Sequence, residues 1–545
     1  MNQGKGYLNI VLHAHLPFIK HPEFENFLEE SWLFEAISES YLPLLGMLKR
    51  LQKDSVPSTF TISFSPTLMA MLQDDFLGKR YIAYIEKHIE LGNRELERTK
   101  NEPKVERLAR MYRDRYEENL HDFTQIYGGN ILKGFEGFQK SGAIEIITTP
   151  GSYPFLPFYE QYPANVAAQI EAAVDTYHMV FGKTPKGMWL PECGYYPGLE
   201  HHLKDYELDY FFTSAHGLMF SPEAPRWGVF TPARVANGLA YFARDLASAN
   251  LVWSAETGYP GDPEYRDFYR DIGHDLPFEY ISPFIHLNKV RINTGFKYYA
   301  VSGKTADKNL YEPELAAKKV LEHAENFLYH QSLRVSKLDP VMNTPPIITC
   351  PYSAELFGHR WFEGIQWLET VIRLVDSKYG DLDLITPSRF LAEHSVLEVS
   401  QPIYSSWGNK GYGEVWLDGS NDWIYSHVHM AIERLQELVS RFPEVTGLKE
   451  RALNQAAREV LLAQSIDWPV IMRSGAAEKY AIQRLREHIG NFYRIYDAMG
   501  QGTLGTEWLT RVEKKNNVFP RLSYKVFDPG ALKRVNRLGH PYALE

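Results

Sequence analysis

Only two cysteines, Cys193 and Cys350, occur in 545 residues. That is too few for a disulfide framework or a thiolate metal site. No apolar run approaches the ~20 residues that a membrane helix needs. The first apolar strand is reached without the basic and apolar segments of an export signal, so a cytoplasmic protein with no membrane partner is expected. Excess positive charge is missing too. The net charge is −10, and nothing in that balance offsets repulsion from phosphates, which argues against a nucleic-acid partner. The glycine-rich segments carry no phosphate-loop pattern, and there is no G-x-S-x-G turn for a nucleophilic serine. No cofactor is expected.

Aromatic residues are plentiful: they make up 14% of the chain, with 34 Tyr, 30 Phe and 11 Trp. Such side chains fill cores, and an excess of them also suits stacking on sugar rings. Residues 7–12 (YLNIVL) form a near-continuous apolar run that ends in His13-Ala14-His15, and 60–64 (FTISF) form a second. Residues 143–149 (AIEIITT) read as a buried strand. Val166, Ile170, Val174, Tyr177 and Phe181 then recur at helical spacing before Gly182, and Gly187-Met188-Trp189-Leu190 read as another strand. In this βαβ unit Glu192 falls at the C-terminal end of the second strand, which is the catalytic face of a parallel barrel.

Further strands are expected at 209–213, 251–254, 290–294 and 347–350, and helices at 31–52 and 313–330. Charge runs at helical spacing mark residues 71–139 as a helical insertion, and 200–250 read as loop-rich. From 399 the pattern changes to a Trp- and Gly-rich segment followed by at least three helices, at 422–441, 448–463 and 475–499. A catalytic-type barrel over 1–398 and a C-terminal helical domain over 399–545 are therefore expected, with a basic tail over the last thirty residues.

A second constellation, Cys350-Pro351-Tyr352-Ser353-Ala354-Glu355-Leu356-Phe357-Gly358-His359, also follows an apolar strand and should share the barrel mouth with Glu192. A retaining glycosidase needs two carboxyl groups about 5–5.5 Å apart, and Glu192 and Glu355 are candidates. Loop-fixing hydrogen bonds are an equally good reading of Glu355 or His359 taken alone. His13 and His15, at i and i+2, share one face of a strand. They suit either neutral hydrogen bonding to a substrate or a metal site, but no convincing further ligand pattern appears at Asp262, His216 or His359. Trp361, Trp407 and Trp416 lie in Gly-rich segments outside helical stripes, where they could stack on sugars or pack between domains.

These residues carry a resemblance. HAHLP at His13, WLPECGY at Trp189, GYPGDPEYRDFYRDIG at Gly258, AELFGH at Ala354, SSWGNKGYGEVWLDGSNDWIY at Ser405 and QSIDWP at Gln464 are similar to glycoside hydrolase family 57, in its α-1,4-glucan branching-enzyme type. The resemblance implies an incomplete (β/α)7 TIM-like barrel with helical insertions and a C-terminal α-helical domain. It also implies α-1,4-glucan as the ligand, Glu192 as nucleophile, His13 and His15 beside it, and Trp407 and Trp416 as glucan contacts; Trp189, His359 and Trp361 are further candidate substrate-binding residues, and no metal is expected. The family's general acid is an aspartate at the position of Ser353, and a serine hydroxyl cannot supply that proton near neutral pH. Family members also differ at Tyr153, Tyr196 and Arg360, and carry a loop tyrosine that residues 231–238 lack. Weak or absent branching is expected, with Glu355 as a possible substitute acid. A glucan-binding protein without turnover is the alternative, and a metal-dependent hydrolase centred on His13 and His15 is the least favoured reading.

Overall fold

The computed structural model describes residues 6–254, 257–285 and 290–530. Nine strands form one sheet: β1 Gly6–Ala14, β2 Phe60–Phe64, β3 Ile144–Thr148, β4 Gly187–Met188, β5 Tyr210–Thr213, β6 Ala233–Arg234, β7 Ala240–Ala243, β8 Ile347–Ser353 and β9 Leu382–Leu384. Their order is β6-β7-β5-β4-β3-β2-β1-β8, with β9 also paired to β1. From β7 to β8 every pairing is parallel; only β6 runs antiparallel, against β7. β2 is buried along its whole length and β1 at all but one position, as expected for strands covered on both faces. The seven strands from β7 to β8 curl into a (β/α)7 barrel that is not closed by a ladder. Between β7 and β8 the described backbone supplies a single tie, Asp245 N to Thr349 O at 2.8 Å.

β4 is only two residues long, and its Gly187 lies under the ring of Tyr210. A Cβ there would sit 2.2 Å from Tyr210 Cε2, so no other residue type fits without moving the ring. The helix that precedes β4, Pro163–Phe181, ends at Gly182 with φ 67°, the left-handed stop that glycine favours. Residues 31–53 form one continuous helical rod with a π-helical turn at Ile37–Tyr41. Helices Asp75–Thr99 and Pro103–His121 make up most of the first insertion. Beyond β9 lie helices Trp423–Arg441, Leu448–Ala463, Asp467–Ser474, Glu478–Gln501 and Thr506–Lys515. Among the described residues, no helix is long and apolar enough to cross a membrane.

Three expectations need correction. Residues 251–254 do not form a strand; they close the helix Leu246–Trp253, whose N-cap Asp245 accepts from Ser248 N. The strand of that unit is β7, a few residues earlier. Residues 290–294 are irregular. Their register is set by the Asp271 carboxylate, which accepts from Thr294 N, Thr294 Oγ1 and Gly295 N at 2.8–2.9 Å, and not by a sheet. Within the segment 200–250, read as loop-rich, β6 pairs with β7. Of the C-terminal tail, residues 531–545 lie outside the described residues.

Candidate active site

Glu192 sits in a single turn of 3-10 helix, Pro191–Cys193, immediately beyond β4. Its φ is 59°, that of Cys193 is 52° and that of nearby Tyr153 is 61°. Non-glycine residues in this left-handed region cost roughly 1–3 kcal/mol each and persist where the surroundings over-determine them. The surroundings here are a second backbone. Tyr195 and Ser405 exchange both hydrogen bonds, at 2.9 and 3.1 Å, and Trp407 N donates to Glu192 O at 2.9 Å. The same segment brings the indole Nε1–H of Trp407 onto Glu192 Oε2.

Protein atoms surround the Glu192 carboxyl, and that burial pushes its pKa up to about 7. The Trp407 hydrogen bond, His15 and Arg244 pull in the opposite direction, while the Asp467 carboxylate adds to the rise. Functional carboxyls often titrate near neutrality, but burial also lifts Glu35 and Glu171 to about 7, so it is the strand-end position of Glu192 that sets it apart. His13 stacks on Trp189 with ring centroids 4.8 Å apart and lies 5.3 Å from Trp407. Burial, helped by the neighbouring His15, lowers the His13 pKa to about 3, so the ring is neutral. Its Nε2 is buried and has no hydrogen-bond partner among the described residues.

His15 is held on both sides. Its Nδ1 meets Ser65 Oγ and its Nε2 meets Asp467 Oδ2, each at 2.8 Å, and the ring stacks on Tyr153 at 3.7 Å. With His15 so occupied, His216 bonded to Gly411 O and Asp262 paired with His323, these groups do not converge on one metal position. Arg244 lies over the Trp407 ring, 5.4 Å from its centroid. Its Nε is buried and unpartnered among the described residues.

Ser353 ends β8, opposite His13 of β1 in the parallel register. Its hydroxyl donates to Glu355 Oε2 at 2.7 Å. The other oxygen, Glu355 Oε1, accepts from Tyr41 Oη at 2.6 Å and from His15 N at 3.0 Å. Tyr41 reaches Glu355 from the last position of the π-helical turn. Glu192, Asp467 and Glu355 all act electrostatically on the Tyr153 hydroxyl, which gathers the three carboxyl groups around one ring.

The remaining predicted residues lie elsewhere. His359 Nδ1 meets Glu39 Oε2 at 2.6 Å, and Glu35 lies 3.9 Å away. Burial works against the charge on His359, but the Glu39 carboxylate outweighs it and raises the pKa. Trp361 and Trp416, expected in exposed segments, are 1% and 2% exposed. Trp416 packs on Phe155 at 4.5 Å and Trp361 on Trp367 at 5.4 Å. Both are core residues because the glycines beside them let the chain fold back over the indoles; a Cβ at Gly408 would meet Trp416 at 2.8 Å. Trp189 is also fully buried, with His13 on its face. Trp407 alone of the four keeps part of its surface open. Asp467, Arg244 and Tyr41 were not anticipated. A lone charge between Ile466 and Trp468, and another next to the N-cap Asp245, were the available signals.

The pattern of glycosyl hydrolase family 57 matches residues 9–399. The chain belongs to that family. Residues 427–527 match the C-terminal region of 1,4-alpha-glucan branching enzymes. Within family 57, the chain is 30% identical to the 1,4-alpha-glucan branching enzyme of Thermococcus kodakarensis over 554 aligned positions, covering 94% of this chain and 77% of that protein. The alpha-amylase AmyC of Thermotoga maritima superposes with a TM-score of 0.90 at 42% identity, covering 96% of this chain and 99% of that one. The family 57 branching enzyme of Pyrococcus horikoshii superposes with a TM-score of 0.86 at 30% identity, covering 96% and 97%. The strand-end turn that carries Glu192 and the helical layer that carries Asp467 therefore both belong to a shared family 57 architecture.

Proposed function

We propose that this protein binds α-1,4-glucan in the barrel mouth and reacts through Glu192 as the nucleophile of a retaining glycosyl transfer, with weak cleavage and branching of unmodified glucan. The observation that carries this reading is the Glu192 carboxyl itself. It is fixed in a strained turn, bonded to the one partly open tryptophan of the site, and titrates close to neutrality. A carboxylate of that kind can attack an anomeric carbon. The branching enzymes and the amylase named above supply the substrate class by likeness.

The weakness follows from the residue at the end of β8. Protonating a departing sugar oxygen is worth roughly 10²–10⁴-fold in rate, and the Ser353 hydroxyl is far too weak an acid to do so near neutral pH. A second reading, glucan binding without turnover, is favoured by the engagement of both other carboxyl groups, Asp467 with His15 and Glu355 with Ser353, Tyr41 and the His15 amide. Incubation with amylose, followed by debranching and chain-length profiling, separates the two, with Glu192→Ala as the blank. New branches or shortened chains above the blank support the first reading; a profile equal to the blank, with retained glucan affinity, supports the second.

A further inference from the structure

Glu355 only accepts. Three donors converge on its two oxygens: the Ser353 hydroxyl, the Tyr41 hydroxyl and the His15 amide. A carboxylate so placed can take up a proton but presents none. Its link toward the strand ends is Ser353, whose hydroxyl can give its proton to Glu355 while accepting another. We infer that Ser353 and Glu355 form a base relay serving the transfer half of the reaction, and that the donors are α-glucosyl units whose leaving group departs as a stable anion. The inference rests on the reading of Glu192 as nucleophile.

The two steps balance without a general acid. In the first, a Glu192 oxygen bonds to the anomeric carbon, the bond from that carbon to the leaving group breaks, and the group departs with the electron pair. Fluoride needs no proton to do this, and neither does a nucleoside diphosphate. Arg244, over the Trp407 ring and with an Nε unpartnered among the described residues, favours the ionised form of Glu192 that makes this attack. In the second step an acceptor hydroxyl attacks the anomeric carbon and the Glu192 oxygen leaves with its electron pair. The acceptor's proton passes to Ser353 Oγ as the serine's own proton passes along the 2.7 Å hydrogen bond to Glu355 Oε2. Water then recovers the proton from Glu355. Ser353 is the catalytic residue of this step, and Glu355 is a positioning residue that acts through it.

The probe is α-maltosyl fluoride with maltotriose as acceptor, read as fluoride release and as maltosyl adduct by intact mass. Wild type should turn over continuously. Ser353→Ala and Glu355→Gln should each release one equivalent in a burst, hold the adduct, and then continue roughly 10²–10⁴-fold more slowly. Sodium azide attacks without a proton to lose, so it should restore turnover in both variants. A damaged fold would lower burst and steady rate together and would not respond to azide. Unchanged steady rates in both variants overturn the relay, as does a burst that falls with the steady rate in a variant whose Tm equals that of wild type. A wild type that stops after one equivalent overturns the relay but leaves Glu192 as nucleophile. Absence of both burst and adduct in wild type overturns the nucleophile reading as well.

Discussion

Two glutamates lie deep in this chain under opposite conditions. Glu459, in the helical layer, is fully buried and accepts from four donors: Gln455 Nε2, His488 Nδ1, Asn491 Nδ2 and Asn516 Nδ2, at 2.6–3.3 Å. Glu192, at the barrel mouth, has one side-chain donor, Trp407, and titrates at about 7. A satisfied carboxylate holds elements together, whereas an under-satisfied one is costly to keep and available to react. Glu459 is closed off from solvent and Glu192 is partly open to it, so among the described residues access and the count of donors together separate the two carboxylates.

The strongest way to break that contrast is Glu192→Gln. Glycosyl transfer to or from any donor should fall by on the order of 10⁴-fold or more, as expected when a nucleophile is lost. Activity within tenfold of wild type in the fluoride assay would end the assignment. Next comes Glu459→Ala, which strands four donors; a buried polar group left unpaired costs about 1–3 kcal/mol. It should lower Tm and the urea midpoint while leaving glucan affinity per folded molecule unchanged. An unchanged midpoint would mean the network contributes little.

The third expectation concerns pH and stability. The Glu192 pKa is raised from the usual carboxyl range to about 7 in the folded state, so the native protein binds more protons than the unfolded chain between about pH 4.5 and 7. Stability from this group is therefore intact below that window and is lost as pH rises through it, by up to about 3 kcal/mol. Glu192→Gln should be more stable than wild type at pH 8 and indistinguishable from it at pH 4.5 by denaturant titration. Equal stability at both pH values would contradict the burial cost.

The smallest effect is on the acid limb of the rate profile. Because Glu192 must be ionised to attack, the rate with maltosyl fluoride should rise about tenfold per pH unit below about 7 and level off above it. Trp407→Phe removes the donor that favours the charged form, so the limb should move upward by about one pH unit, the size of one charge-assisted hydrogen bond. A limb that stays in place would show that Trp407 serves only the sugar.

Much of the barrel was legible because buried parallel strands leave apolar runs: β1, β2, β3, β5 and β8 all coincide with such runs. β7 and β9 were missed: β7 lies inside a segment read as loop-rich, and β9 spans three residues with Asp383 at its centre. The segment 251–254 misled because Val252 and Trp253 favour strands, while the decisive signal, the N-cap Asp245, stood six residues earlier. At the site, Glu192 was visible from its place at a strand end. Asp467 was not, because its partner His15 is 452 residues away and no local pattern joins them. The buried state of Trp361 and Trp416 was hidden for a similar reason: glycines suggested open loops, where they serve to admit large rings.

The 452-residue span between His15 and Asp467 also sets an order in time. A chain emerging from the ribosome exposes β1 first and can fold its early segments as they appear. Trp407, the donor on Glu192, and Asp467, the partner of His15, are made much later. A nascent barrel therefore carries Glu192 and His15 without the partners that orient them, and the site is assembled only after the last third of the chain has been made. Synthesis and assembly of the site are separated in this molecule by chain order alone.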